Sequence, residues 1–575
     1  MIAAVLTGFL VALLSPLLER GLGKRAATLL ALFPAGLFAW FVRFVPEVSE
    51  GGTSTAALAW IPELGVSVSF RLDGLSLLMT LIVTGIGALV LLYAGTYMDG
   101  HPRRGALLGY LVAFLAAMLG LVLSENLLGL FVFWEATSIL SYFLIGFDRE
   151  KAEVRAAALQ ALLVTGGGGL ALLAGFVLLG QAGGSLEISA LVANADALKA
   201  SPLYTPALVL VLLGAFTKSA QVPFHFWLPG AMAAPTPVST YLHSATMVKA
   251  GVFLLARLHP ALGGTPEWSW IVTSVGAATM LTGAVLAVGQ KDLKRLLAFS
   301  TVSSLGSLTM LIGVGTPAAL GAAMVFLLAH ALYKAALFLV AGILDHEAGT
   351  RDVTRLGGLL ALLPATGVAA MAAAFSMAGL PPLLGFVSKE LLYDAALRAS
   401  PIPFLLVPAA VGSNMLLVAV ALAVGWGPFT GARGATPKAP HEAPAEMWLG
   451  PVLLGFGSLA CGLFAGAISP FLSSAASAAL GHPYGVRLEL WHGFNLVLLK
   501  SLVTLAVGLA FWTNRARLRA LAERLAPVAA LGPARLYRDG LAGLVKLAKG
   551  TASLLSAGSL RQDVRIVLLA AVALP

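Results

Sequence analysis

Cysteine is almost absent: Cys461 is the only thiol in 575 residues. A disulfide framework is therefore excluded, and so is an ordinary resident iron–sulfur cluster, which takes four thiolates. Any redox chemistry coupled to this chain would belong to a partner. Charge is scarce as well. Asp, Glu, Lys and Arg make up 11% of the chain against 59% hydrophobic residues, and the mean hydropathy is +0.92. That balance excludes an ordinary soluble domain and is the composition of a polytopic α-helical membrane protein. The alternating segments of a membrane β-barrel are missing, because the apolar runs continue for about 20 residues. The sequence also lacks a phosphate-binding loop, a nucleophile motif and Cys or His at metal-ligand spacing. No catalytic residue, metal or cofactor is expected, and the chain is not read as an enzyme. The net charge of +10 does not mark a nucleic-acid binder, because the basic residues lie mostly in short loops between spans.

What is present is a succession of about fifteen apolar runs, each long enough for a bilayer. They are read at 1–18, 26–45, 74–97, 105–123, 126–147, 157–180, 205–229, 234–258, 268–289, 294–315, 318–344, 362–393, 402–428, 449–474 and 494–513. The first, MIAAVLTGFLVALLSPLLERGLGKR, carries its charges after the apolar stretch. A secretory signal has the reverse order, so it is read as a retained span. Basic residues fall in alternate loops: Arg20, Lys24 and Arg25; Arg103 and Arg104; Arg149, Lys151 and Arg155; Lys291, Lys294 and Arg295; Arg351 and Arg355; Arg433 and Lys438; Arg515, Arg517 and Arg519. The loops between these are poor in Lys and Arg. This parity predicts a multi-pass plasma-membrane protein with its N-terminus outside and the loop after residue 514 cytoplasmic.

The chain divides into N-terminal spans (1–102), a bundle of about five spans (103–260) with a broken helix at 205–229, and a second such bundle (265–430) broken at 362–393. C-terminal spans (431–514) and a basic amphipathic region (515–562) follow, the latter suited to the membrane surface or a partner. Residues 563–575 begin a run too short to cross a bilayer, so the polypeptide is expected to continue. Corresponding broken helices in two halves point to a transport site near the midplane.

Ionisable residues inside spans are costly and mark function by default. They are Glu135 in LFVFWEATSILSYFLIG, Lys218 in KSAQVPFHFWLPG, His243 and Lys249 in YLHSATMVKAG, His330 and Lys334 in LLAHALYKAALF, and Lys389 in AGLPPLLGFVSKE. Lys294 in QKDLKRLLAFST sits at a span edge and is expected to snorkel to the interface. His330 and Lys334 are four apart and share a helix face. His243 and Lys249 are six apart and face differently. Imidazoles and desolvated lysines are the side chains that exchange protons near neutral pH, and a carboxylate such as Glu135 can modulate a lysine by pairing and parting. Four prolines break the backbone: Pro223 and Pro229 free the carbonyls of Ser219 and His225, and Pro381 and Pro382 those of Met377 and Ala378. Free carbonyls at membrane depth imply a hydrated cavity. Asp73 in RLDGLSLL reads as a helix N-cap, and Gly166 to Gly169 as a surface for close helix packing.

These stretches, with WEATSILSYFLIGF, DLKRLLAFSTVSSLG, HALYKAALF and GLPPLLGFVSKE, resemble the antiporter-like subunits shared by Mrp-type multisubunit Na+/H+ antiporters, membrane-bound hydrogenases and respiratory complex I. Lys249 after HSATMV and the wording GFVSKELLYDA are most similar to the large A-type subunit of Mrp antiporters, a longer polypeptide than this one. The resemblance implies an all-α fold of fourteen core helices in two inverted five-helix repeats, then a lateral helix. It implies that Glu135 pairs with Lys218, and that Lys249, His330, Lys334 and Lys389 continue a polar axis. It also implies H+ and Na+ as cargo and partner subunits of the B to G type. A proton-pumping subunit of complex I or a hydrogenase is the alternative.

Overall fold

With no water to pair its amides, a backbone inside a bilayer must satisfy them internally, and long apolar runs therefore become helices. The computed structural model describes residues 1–575 apart from 62, 64, 65, 400, 401, 492, 531, 556–559, 574 and 575. Among the described residues, 12 helices are long and apolar enough to cross a membrane, from Ile2–Leu22 to Leu496–Thr513. Each coincides with one of the expected spans. The three remaining expectations, 205–229, 234–258 and 362–393, are the interrupted ones. The first is Tyr204–Lys218 followed by short turns. The second is Thr236–Thr240, a π-helical segment Tyr241–Ala245 and Met247–Leu262. The third is Pro364–Ala378 and then Leu384–Leu397. The span expected over 449–474 ends sooner: Ala445–Leu463 stops at Phe464 and a separate helix, Ala465–Leu480, begins.

One element departs from the all-helical expectation. Ser54–Ile61 (β1) and Val66–Leu72 (β2) form an antiparallel hairpin in which Ser54 faces Leu72 and Ala56 faces Phe70. The alternation in VSVSFRL is the period-2 pattern of a strand. Glu187 holds this hairpin by accepting hydrogen bonds from Ser67 Oγ (2.5 Å) and Ser69 Oγ (2.7 Å), and it also accepts one from Asn126 Nδ2 (2.8 Å).

Two units are distinguished, Met1–Ala520 and Leu521–Pro575. In the first, small residues bring helices into backbone contact. Gly276 and Gly283 lie against Met310 and Ser303, and Gly306 and Gly313 lie against Met280 and Thr273. A Cβ at any of them would run into the opposing main chain, so the helices Pro266–Val288 and Leu293–Val314 meet as closely as backbones can. That contact sets the position of Lys294 and Ser300. The second unit contains Pro533–Leu555 and Leu560–Ala573. Leu541, Leu544 and Ala548 lie on one face of the former, and Arg535, Lys546 and Lys549 on the other.

Candidate ion-translocation site

The Lys218 helix ends at its lysine. Ser219 N still reaches Ala215 O (2.9 Å), but Ala220 then adopts a left-handed conformation, φ 47°, that alanine rarely takes. The chain turns, and several of the freed groups find protein partners. Ser219 O, the carbonyl that Pro223 was expected to orphan, accepts from Gln221 Nε2 (2.8 Å). Thr217 O accepts from Trp227 Nε1 (2.8 Å), and Val222 N donates to Thr279 Oγ1 (2.9 Å). Side chains do here what water was expected to do. Lys218 itself is fully buried and donates to Trp134 O (3.0 Å) and Ser138 Oγ (2.8 Å) of the Glu135 helix, Leu127–Ile145.

Glu135 corrects one expectation. It is near enough to Lys218 to interact electrostatically, yet the two form no direct ion pair. Its Oε1 is buried without a hydrogen-bond partner, and the residue as a whole is half-buried. Lys218 is engaged next to the carboxylate, on the carbonyl of the preceding residue.

A second irregularity serves Lys249. The π-helical turn Tyr241–Ala245 widens the backbone so that carbonyls miss their usual partners. Thr246 Oγ1 donates to Tyr241 O (2.7 Å), and Lys249 Nζ donates to Ser244 O. His243 lies inside the same turn, fully buried, its ring near Trp227 and Phe338 at 6.3 Å between centroids.

Lys294 does not snorkel. It is 1% exposed and donates to Ala234 O (2.5 Å), where the chain leaves the first break. Its depth was misjudged because the loop partner that covers it lies 60 residues away in the chain. Lys294 is also within electrostatic range of His243.

The second broken helix repeats the device. Pro364–Ala378 closes at Gly379 (φ 81°), whose N–H reaches Phe375 O and Ser376 O. Ala378 O, freed by Pro382, accepts from Lys389 Nζ (2.8 Å). A side chain at Gly379 would strike the Lys389 stem, so glycine is needed twice over, for its conformation and for its missing Cβ. Lys334 donates to Ser300 Oγ (2.6 Å) and its Nζ lies 3.9 Å from Met377 Sδ, one residue from the carbonyl that Lys389 holds. His330, one turn away on the same helix, is fully buried, and it and Lys334 both lie within electrostatic range of Lys249. Neither ring nitrogen of His243 or of His330 has a protein partner.

The expected residues thus fall into linked groups: Glu135 with Lys218, His243 with Lys294, and Lys249, His330 and Lys334 leading to Lys389. Four of the five lysines end on a main-chain carbonyl, three of those at an interruption of a helix. The sequence reading missed the acceptors Ser138 and Ser300 and the π-turn, although hydroxyls in apolar spans were a visible signal.

It also missed a buried pair at the hairpin end. Asp73 caps its helix as expected, accepting from Ser76 N (3.1 Å). It also binds Arg257 through two contacts, Nη1 to Oδ2 (2.5 Å) and Nη2 to Oδ1 (2.9 Å). Burial alone would raise the Asp73 carboxyl. The Arg257 charge, with help from Ser76 N–H and Arg71, outweighs it and holds the group at about 2. This pair and Glu125 line a cavity of about 770 Å³. The lone arginine in LLARLHPAL was the available clue.

The comparisons with known proteins bear on the whole chain. A sequence profile described as NADH:quinone oxidoreductase/Mrp antiporter, TM, matches residues 124–416, which contain every residue of these linked groups. A second, described as NADH-ubiquinone oxidoreductase (complex I), chain 5 N-terminus, matches residues 60–106. The A/B-type subunit of a probable K(+)/H(+) antiporter from Rhizobium meliloti (strain 1021) is 46% identical over 519 residues, covering 88% of this chain and 51% of that one. The A-type subunit of the Na(+)/H(+) antiporter from Alkalihalophilus pseudofirmus is 41% identical over 543 residues, covering 88% of this chain and 67% of that one. The fold matches a chain in the structure of the Mrp complex from Dietzia sp. DQ12-45-1b with a TM-score of 0.88 and 36% identity, over 100% of this chain and 62% of that one. The chain therefore spans between half and two thirds of the length of these relatives. On the matched profile and on similarity running along its length, this chain belongs to the NADH:quinone oxidoreductase/Mrp antiporter transmembrane family and is similar within it to the A-type Mrp subunit.

Proposed function

We propose that this chain is the ion-translocating membrane subunit of a multisubunit monovalent cation/proton antiporter of the Mrp type, with H+ and Na+ as the exchanged ions. Protons pass along the buried groups Glu135, Lys218, His243, Lys294, Lys249, His330, Lys334 and Lys389, driven by the proton gradient and without bond chemistry. The observation that carries this reading is the set of five buried lysines, four of them anchored on main-chain carbonyls and three of those at a helix interruption. Such groups are too expensive at membrane depth to be packing alone. A lysine on a carbonyl is poised for a change of state. Neutral, its amine keeps a donor for the carbonyl. Protonated, it gains from any carboxylate that approaches, as Glu135 does for Lys218.

The two broken helices then belong to two inverted five-helix repeats, and the helix Pro533–Leu555 to a lateral element. The subunit works in the plasma membrane beside partners of the B to G type, N-terminus outside and the loop after residue 514 cytoplasmic, as the alternation of basic loops requires. The test is Glu135→Ala and Lys218→Ala in the assembled complex, reconstituted in vesicles with a dye for ΔpH. Both should abolish Na+-dependent proton movement. Normal movement in both, with normal assembly, overturns the reading.

A further inference from the structure

Four consecutive glycines, Gly166 to Gly169, stand in the middle of the helix Ala152–Gly183. Glycine is costly in a helix interior because its freedom must be given up, so four together call for a reason. Close packing of helices is the general one, but here the atoms that each glycine admits are not equivalent. A Cβ on Gly167 would meet nothing within 4 Å, and one on Gly166 would only graze Glu135 Oε2 at 4.0 Å. A Cβ on Gly169 would overlap Glu135 Oε1 and stand 2.9 Å from the carboxyl carbon. One on Gly168 would overlap Thr217 Oγ1 and stand 2.7 Å from its Cβ and 2.9 Å from its Cγ2. Thr217 precedes Lys218, and its own carbonyl is tied to Trp227 Nε1 across the break.

We propose that Gly169 and Gly168 are positioning residues for the Glu135–Lys218 couple: Gly169 leaves the shelf on which the Glu135 carboxylate rests, and Gly168 leaves the space that holds Thr217 and therefore the end of the Lys218 helix. The inference rests on the proposed role of Glu135 and Lys218 and adds what places them. Glu135 Oε1 has no hydrogen-bond partner to locate it, so the Gly169 backbone fixes it from that side by shape alone. Lys218 is fixed from the other direction by Trp134 O and Ser138 Oγ, which flank Glu135 on its own helix. An added methyl at Gly169 pushes the carboxylate off its place without touching the lysine. An added methyl at Gly168 shifts the lysine's helix end without touching the carboxylate. Both change the separation across which the two groups exchange.

The experiment uses the complete complex in proteoliposomes, with assembly checked by size-exclusion chromatography and initial antiport rates read from a ΔpH dye. Gly169→Ala should lower the rate by about tenfold or more, as sub-ångström to ångström displacement of a reacting group does. Gly167→Ala should stay close to the parent rate. The decisive measurement is rescue. Glu135→Asp shortens the carboxylate by one methylene and vacates the space of the added methyl. It should slow the parent but raise the rate in the Gly169→Ala background, and Thr217→Ala should likewise raise the rate of Gly168→Ala. If Gly169→Ala fails to assemble, restored assembly in the Glu135→Asp double variant supports the proposal and persistent failure overturns it. The proposal is also overturned if Gly169→Ala transports like the parent while Glu135→Gln is inactive, or if Glu135→Asp rescues nothing. Full transport by Glu135→Gln sinks instead the underlying role of Glu135, so the two failures are told apart.

Discussion

Replacing Arg257 by methionine should expose how much of this membrane bundle hangs on one ion pair. Arg257 and Asp73 are 6% and 5% exposed and make a two-pronged contact at 2.5 and 2.9 Å. Removing Arg257 leaves the buried Asp73 carboxylate with Arg71 alone as its ion-pair partner, Nε to Oδ2 at 3.3 Å, and losing one partner of a buried pair costs up to about 3–5 kcal/mol. The acid side of the pair gives an independent figure. Holding the Asp73 carboxyl at about 2 in place of 3.8 corresponds to about 2 kcal/mol at neutral pH. The sign follows from the depressed value: the contribution is fully present above the ordinary carboxylate range, near pH 4, and is lost as pH falls from there through about 2. The assay is unfolding in mixed detergent micelles, followed through thiol labelling of Cys461, the only cysteine of the chain. Arg257→Met, Asp73→Asn and the double variant close a cycle; asparagine keeps the N-cap acceptor for Ser76, so the cap is not confounded with the charge. The two single penalties should each exceed the pair's own worth, and the coupling between them should be about 2 kcal/mol or more. Strict additivity within about 0.5 kcal/mol would refute the reasoning. So would an acid-sensitivity between pH 4 and 2 that survives Asp73→Asn unchanged.

Three further outcomes separate anchoring from transport. Lys218→Met should stop antiport while shifting unfolding by less than about 1 kcal/mol, because Trp134 O keeps Thr137 Oγ1 as a partner and Glu135 is only half-buried; equal loss of both properties in the two assays would contradict this. Gln221→Ala should leave Ser219 O without its donor at the break and cost about 1–3 kcal/mol, with Gln221→Glu no better, since a carboxylate cannot donate. Lys389→Met should cost a similar amount, about 1–3 kcal/mol, by orphaning Ala378 O, and Lys389→Arg should recover stability but not transport; a neutral effect of methionine on unfolding would show that the carbonyl is satisfied in another way.

Much of this was legible without coordinates. Eleven of the expected spans became uninterrupted helices, and a twelfth, 449–474, did so up to Phe464, because an apolar run at bilayer length has one way to satisfy its backbone. The interrupted helices were legible at Pro223 and Pro382, since proline removes a specific donor and names the carbonyl left behind; Ser219 O and Ala378 O are those carbonyls. The resemblance carried by KSAQVPFHFWLPG and its companion motifs was borne out by the matching family and the relatives. Composition and local chemistry thus settled membrane residence, helix placement and which ionisable residues lie in the spans, while the family was reached through the resemblance of the motifs.

Tertiary structure decided what each of those groups touches. That Lys294 is buried depends on Ala234, that Lys334 is held depends on Ser300, and that Glu135 stands apart from Lys218 depends on Trp134 and Ser138 taking the lysine instead. No local pattern encodes such contacts, because a buried polar group takes whichever partner the packing of distant helices brings within hydrogen-bond reach. The same holds for Gly168 and Gly169: four identical letters in a row look alike, and only the neighbouring helices crowd two of them and leave the other two open.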